Sequence, residues 1–272
     1  MKSRLSSLSF VTLSIVIALS GGLTQPKVGA TSPGSNGYVA SYGGNTISFI
    51  DPNSGTSHVW DQNTNYSSSY FDVTSDGQNF MTMYQSYDGT YHNSPLEIYS
   101  AQTVEAASFS FDDTYFNTLS PDGSKISYYE IDDNYISIYD MSTSSISRLS
   151  TPSYMYPVWS PDSSKIAYLK YDFRNPSAGV YGAFTDLNTN TTYTVSGLGK
   201  PYDWSPDGTK IAFASSNGQY AISIYDINTK SITTFNPGNM LDVSHQAVNF
   251  VWSPDMRSVA FTVCASRSES VV

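Results

Sequence analysis

The stretch WSPDGTKIAF, Trp204 to Phe213, sets a Ser-Pro-Asp-Gly turn between two apolar runs. Close copies occur as WSPDSSKIAY from Trp159, LSPDGSKISY from Leu119 and WSPDMRSVAF from Trp252. A fainter one, TSDGQNFMTM, starts at Thr74. Aligned on the turn aspartate, they give Asp76, Asp122, Asp162, Asp207 and Asp255, at steps of 46, 40, 45 and 48 residues. Internal repetition on this scale decides the architecture before any other feature does.

Each unit has one grammar. An apolar run such as YPVW or VNFVW leads into the turn, where proline presets φ for a type I turn and serine and glycine suit its ends. A β-rich run follows, KIAFAS or KISYYE, then a variable hairpin. Next comes an alternating strand ending in aspartate: YISIYDMSTSSI from Tyr135, AISIYDINTKSI from Ala221, and a relative, TISFIDPNSGT, from Thr46. Alternation of Ile and Tyr with Ser marks strands with one face more buried than the other. The D-x-x-T/S that follows is a second tight turn, leading to a last strand such as SISRLS or SITTF. Four strands in about 45 residues make one blade of a β-propeller. The prediction is therefore an all-β chain of four-stranded blades, five or six in number, with incomplete first and last blades.

These units resemble the WD-like β-propeller repeat of the TolB type, whose signature is W-S-P-D-G-x-x-I-A-F followed by an I-Y-x-x-D strand. The resemblance runs from about Tyr38 to Val263, while the Gly-His and Trp-Asp pairs of ordinary WD repeats are missing. It implies an interaction platform in the bacterial envelope. TolB itself carries an α/β domain ahead of its propeller, and the stretch between Ala30 and Tyr38 is too short for one. The blade grammar predicts that Trp159, Trp204 and Trp252 pack between blades, and that the turn aspartates cap backbone N–H groups rather than bind metal. At the N-terminal end, TSPGSNGYVASY reads as a decayed turn and second strand. Asn249 to Trp252 could complete that first blade and close the ring; otherwise the last unit is a sixth blade cut short.

The first thirty residues differ from the rest. Lys2 and Arg4 precede an apolar run, Leu8 to Leu19, too short to span a bilayer, and VGA at Val28 to Ala30 suits a signal peptidase. Met1 to Ala30 reads as a secretory signal, with an uncleaved anchor as the competing reading, and 31–272 as the propeller domain. The expected location is secreted or periplasmic. The net charge of −10, more negative once Lys2, Arg4 and Lys27 leave, argues against nucleic acid and anionic membrane surfaces. A single cysteine, Cys264, excludes an internal disulfide, so core packing must hold the fold.

Catalytic constellations are sparse. His58, His92 and His245 fall in three different units without metal-ligand spacing, and no G-x-S-x-G elbow or phosphate-cradling glycine loop occurs. Cys264 has no evident base beside it. The pairs Asp112-Asp113 and Asp132-Asp133 lack the alternating pattern of a calcium loop. NYS at Asn65 and NTT at Asn190 match the glycosylation sequon. The sequence thus predicts a non-catalytic monomer without cofactor or metal.

The variable hairpins carry a different signal. In a propeller, the hairpin between second and third strands opens on the same face as the link to the next blade. That face collects YQSYDGTYH, EIDDNY and YDFRNP, with Tyr66, Tyr70, Tyr154, Met155, Tyr156 and Tyr202 placed in links. Tyrosine-rich loops give rigid amphipathic contact area at low entropic cost. Tyr87, Tyr91, Tyr135, Tyr171 and Tyr202 are the candidate binding face, for a protein or an extracellular polymer. Two alternatives stand beside this: a propeller enzyme, polysaccharide lyase-like or otherwise glycan-active, and a fragment of a longer propeller protein.

Overall fold

Each Ser-Pro-Asp-Gly unit folds into the start of its own antiparallel sheet. The structure is a computed structural model. It describes residues 12–18, 39–43, 46–50, 54–55, 57–61, 68–74, 78–87, 91–93, 96–100, 106–109, 114–130, 133–150, 154–171, 179–215, 221–235 and 245–265. Among these residues there is no helix.

In chain order, β1 (Thr12–Ala18) precedes a three-stranded meander of β2 (Val39–Gly43), β3 (Thr46–Ile50) and β4 (Ser57–Asp61). The next sheet runs through β5 (Ser68–Val73), β6 (Asn79–Tyr87), β7 (Tyr91–Asn93), β8 (Leu96–Ser100) and β9 (Ala106–Phe109), with β7 extending the end of β6. Three regular four-stranded sheets follow. They are β10 (Thr114–Leu119) to β11 (Lys125–Glu130), β12 (Tyr135–Asp140) and β13 (Ser145–Arg148); then β14 (Tyr154–Trp159) to β15 (Lys165–Tyr171), β16 (Val180–Asp186) and β17 (Thr191–Val195); then β18 (Leu198–Trp204) to β19 (Lys210–Ser215), β20 (Ile222–Asp226) and β21 (Ile232–Phe235). Last come β22 (His245–Trp252) and β23 (Ser258–Ala265). At the ends, one of the two alternatives drops out. β22 does not complete the first meander; it pairs with β23, and β23 pairs with β1, drawn from the segment read as a leader.

The turns explain why the repeat is spelled as it is. In the copy at Asp122, the Gly123 N–H donates to the Ser120 carbonyl at 2.8 Å, closing a four-residue turn. The Ser120 hydroxyl donates to Asp122 Oδ1 at 2.7 Å and accepts the Lys125 N–H at 2.8 Å. Asp122 Oδ1 also accepts the Ser124 N–H at 3.0 Å. The same bonds recur with Ser160, Asp162, Ser164 and Lys165, with Ser205, Asp207, Thr209 and Lys210, and with Ser253, Asp255, Arg257 and Ser258. Asp76 lies outside the described residues, but Thr74 takes the serine place there: its hydroxyl oxygen accepts the Asn79 N–H at 3.0 Å. Ser120, Ser160 and Ser205 are fully buried, so each hydroxyl must be satisfied internally, and it is.

The residue after each described turn aspartate is left-handed: φ is 72° at Gly123, 56° at Ser163, 68° at Gly208 and 59° at Met256. This is the geometry of a type I turn followed by a bulge residue. Glycine suits it. Ser163 is kept in that conformation with its hydroxyl accepting the Asp122 N–H of the preceding sheet at 3.1 Å. The second turn is equally regular. Asp140, Asp186 and Asp226 each accept the backbone N–H groups two and three residues on, and Ser144, Asn190 and Lys230 then adopt positive φ.

The described strands fall into two compact units, β2 to β15 with most of β16 and β17 in one, and β1 with β18 to β23 in the other. In the first unit β10 packs between β5 and β14. Leu119, Ile126 and Tyr128 meet Met81, Leu96 and Ile98 in one seam, and Trp159, Ile166 and Tyr168 meet Ile136 and Ile138 in the next. Trp159 donates its indole N–H to the Thr118 carbonyl at 3.4 Å, so the ring is both buried and oriented. In the second unit Trp252 and Phe250 pack against Ala212, Ile222 and Ile224. Each such ring contributes on the order of 2–3 kcal/mol of apolar burial. Trp204 is buried as well.

Two outcomes follow from the turn chemistry. Met256→Gly relieves a left-handed side chain with no bond to lose and should raise stability by about 1 kcal/mol. Asp207→Ala should lower it by about 0.5–2 kcal/mol, as loss of a cap does; urea unfolding of both variants measures this. The second outcome concerns acid. Burial alone would raise the Asp162 carboxyl, but the Ser160 and Ser164 hydroxyls, the Ser164 N–H and Lys165 together bring it down to about 2. Asp122 and Asp207 are lowered in the same way. Their folded values lie below the unfolded one, so their stabilisation is present above about pH 4 and is lost as pH falls toward 2. Thermal melts should drop across that window, and Asp162→Asn should flatten the drop.

Candidate functional site

The pairing registers give every sheet two chemically different ends. In the β10 sheet, Leu119 lies opposite Ile126, and Ile126 opposite Tyr139, so both tight turns sit at that end. At the other end Thr114 lies opposite Glu130, and Glu130 opposite Tyr135. The turn end is committed to structure. Besides its internal bonds, Lys125 reaches Asp140 at 4.0 Å and Lys210 reaches Asp226 at 3.2 Å, tying first turn to second. Among the described residues the hairpin end shows no such repeated bonding, and its sequence varies from sheet to sheet.

Tyrosines gather at this hairpin end in the first unit. Tyr87 and Tyr91 lie directly opposite each other where β6 pairs with β7. Tyr135 opens β12 and Tyr171 closes β15, the topologically equivalent points of the next two sheets. Both are half-buried. Around Tyr135 a charged cluster forms. Arg148 Nη2 lies 2.5 Å from Glu130 Oε2 and 2.7 Å from Asp133 Oδ2, and its guanidinium carbon sits 5.9 Å from the centre of the Tyr135 ring. Tyr129 donates to Asn134 Oδ1 at 2.7 Å, fixing the hairpin from inside. Burial, with the Glu130 charge adding to it, pushes the Tyr128 phenol up to about 12. The cluster can offer a guanidinium edge, an aromatic face and two carboxylates to a polar ligand.

The structure relocates several residues placed in links. Tyr70, Tyr154, Met155, Tyr156 and Tyr202 all lie inside inner strands. For Tyr154, Met155, Tyr156 and Tyr202 the cause is a register shift in β14 and β18, which breaks the period-two pattern just where a strand start would be read; Tyr70 lies on β5, whose register is unbroken. Tyr156 sits on such a shift with φ of 66°. Tyr202 is packed, not presented: it stacks on Phe250, ring centres 6.3 Å apart, against the apolar cluster around Trp252. Tyr66, Asn65, Asp112, Asp113 and Asp132 lie outside the described residues.

His58 lies on β4, His92 on β7 and His245 on β22, and Cys264 on β23. Among the described residues, no group of three or more His, Cys, Asp or Glu could hold a metal ion. Asn190 sits in the exposed tight turn between β16 and β17. Sequence reading missed Arg148 and two aspartates, Asp72 and Asp203. Asp72 accepts the Leu119 N–H at 2.9 Å, and Asp203 accepts the Trp252 N–H at 3.4 Å; in both cases the donor belongs to the next inner strand. The available signal was positional: both aspartates stand two residues before the Thr or Ser that opens the turn.

No family model and no curated protein sequence matches the chain. Solved structures do. The putative TolB from Agrobacterium tumefaciens is 15% identical, over 85% of this chain and 87% of that one, with a TM-score of 0.56. Hydrazine synthase from Kuenenia stuttgartiensis is 14% identical, over 88% and 76%, with a TM-score of 0.53. TolB from Acinetobacter baumannii is 18% identical over 84% of this chain, with a TM-score of 0.49, and the chain spans 51% of its length. At these identities the likeness is one of fold, and the fold is that of a TolB-like β-propeller. The comparison also corrects the expectation that the chain is not an enzyme. Hydrazine synthase shares this fold. Missing nucleophile motifs therefore do not exclude catalysis, because activity belongs to sites grafted on a fold and not to the fold.

The placement of Tyr202 has a measurable consequence. Tyr202→Ala removes a ring from a packed cluster and should cost roughly 2–4 kcal/mol, seen as a lowered melting temperature. Tyr171→Ala, at a hairpin end, should change it by less than about 1 kcal/mol.

Proposed function

We propose that the chain is an exported TolB-like propeller that captures a protein or an extracellular polymer on the hairpin end of its sheets. The observation that carries this reading is the division of labour between the two ends. The turn end spends its polar groups on repeated internal bonds. The hairpin end instead brings Tyr87, Tyr91, Tyr135 and Tyr171 to equivalent points of three successive sheets, with Arg148 beside one of them. Aromatics and arginine are the residue types that dominate binding energy at protein surfaces. Export rests on the leader reading of Met1 to Ala30, and a periplasmic or secreted location follows from it. The acidic surface favours a neutral or basic partner.

Capture should depend on a few central rings, each worth about 1–3 kcal/mol. A Tyr91→Ala, Tyr135→Ala double variant should lose binding to envelope proteins and polysaccharides presented as an immobilised panel, with its melting temperature nearly unchanged. Substitution at Met256, on the turn end, should leave binding intact. Equal binding by the double variant and the unaltered chain would refute the proposed face.

A further inference from the structure

Asp203 is the last-but-one residue before a turn serine, on β18, and its carboxylate faces two backbone donors at once. Oδ1 accepts the Trp204 N–H at 2.8 Å, and Oδ2 accepts the Trp252 N–H at 3.4 Å from β22. One side chain therefore bridges two inner strands. Asp72 bridges to Leu119 in the other unit, so this is a device of the repeat and not an accident of one loop. The turns between them have Thr118 and Val158 at the same position, which carry no acid.

The seam that Asp203 spans is otherwise held by apolar contact. Trp252 and Phe250 pack on Ala212, Ile222 and Ile224, with Val259 behind them. The Trp252 indole N–H is buried without a hydrogen-bond partner, whereas its counterpart at Trp159 has the Thr118 carbonyl. The charged and titratable residues on the packed elements are Lys200 and Tyr202 on β18 itself, Asp207 in the turn after it, Lys210 at the head of β19, Tyr225 and Asp226 on β20, and Cys264 on β23. His245 stands at the far end of β22, with Asp255 and Arg257 in the turn that follows. Lys210 is engaged by Asp226. What acts on Asp203 is burial, opposed by the Trp252 and Trp204 N–H groups.

We propose that Asp203 is a protonation-dependent latch that sets how tightly β22 is held against β18. Burial wins over the two N–H bonds, and the carboxyl is pushed up to about 6. A folded value above the unfolded one means that the neutral form favours the closed seam. That stabilisation is complete below about pH 4 and is lost as pH rises through 6. The seam is tighter in mild acid and looser at neutral pH, the reverse of the response of the turn aspartates.

Amide hydrogen exchange tests this on the full chain. After correction for the intrinsic pH dependence of exchange, protection of the Trp252 amide should fall about tenfold between pH 5 and pH 7.5. The Ile166 amide, in the other unit, should not follow it. Asp203→Asn keeps the shape and removes the proton, so its Trp252 profile should be flat. A flat profile in the unaltered chain, or an equal slope in Asp203→Asn, overturns the latch. Should the variant fail to fold, the Asp203 carboxyl can be titrated directly by carbon NMR in the unaltered chain. A midpoint near 6 supports the latch, and one at or below about 4 overturns it.

Discussion

A buried serine hydroxyl shared between an aspartate and a backbone N–H closes the inner hairpins at Ser120, Ser160 and Ser205, and the sheet is built outward from that closure. The hydroxyl of Ser205 donates to Asp207 and accepts from Lys210; the aspartate then holds the Thr209 N–H. With those bonds made, the register of the first two strands is set: Trp204 faces Ile211 and Asp203 faces Ala212. A slip of one residue would move every apolar side chain to the wrong face. The Lys210 stem sits beside the second turn, so the closure of one hairpin also helps place the other.

The seams between sheets combine the same elements. One large ring enters from the inner strand, Trp159 or Trp252, and meets branched side chains of the neighbouring sheet within its own unit. A directional bond accompanies the packing: an indole to a carbonyl at Trp159, a carboxylate to an N–H at Trp252 and Leu119. Apolar burial provides most of the stabilisation, but it is non-directional. The polar bonds choose one arrangement among those of similar apolar area. The inner strands β10, β14 and β18 also carry a register shift, which bends the strand near the hairpin end.

Aspartate does two opposite electrostatic jobs in this chain. At the turns it is solvated on one side and surrounded by donors on the other, so its charged form is favoured. At Asp203 it accepts two donors but is largely withdrawn from water, and the neutral form gains. The difference is one of hydration and of donors: Asp162 has two hydroxyls, an N–H and Lys165 around it, while the more buried Asp203 has two N–H groups. An acidic chain can thus distribute its charge so that turns and seams respond to pH in contrary directions. Among the described residues the hairpin ends show neither arrangement, and their strands carry Tyr87, Tyr91, Tyr135 and Tyr171.

The repeat length, the four-strand grammar and the identity of the turn residues were all legible in the sequence. Each depends on contacts within about ten residues: Ser205 to Lys210, Asp226 to Thr229. Local bonds leave a local spelling. Tyr87, Tyr91, Tyr135 and Tyr171 could be placed for the same reason, since hairpin ends follow from strand order. Tyr202 could not be, because a register shift inside β18 interrupts alternation and turns an apparent link into buried strand. The partners of Asp72 and Asp203, 47 and 49 residues away, and the pairing of β1 with β23 required the tertiary structure. A single acid before a turn looks the same in sequence whether water or a neighbouring strand receives it. Only the packing of one sheet on the next decides which of the two it meets.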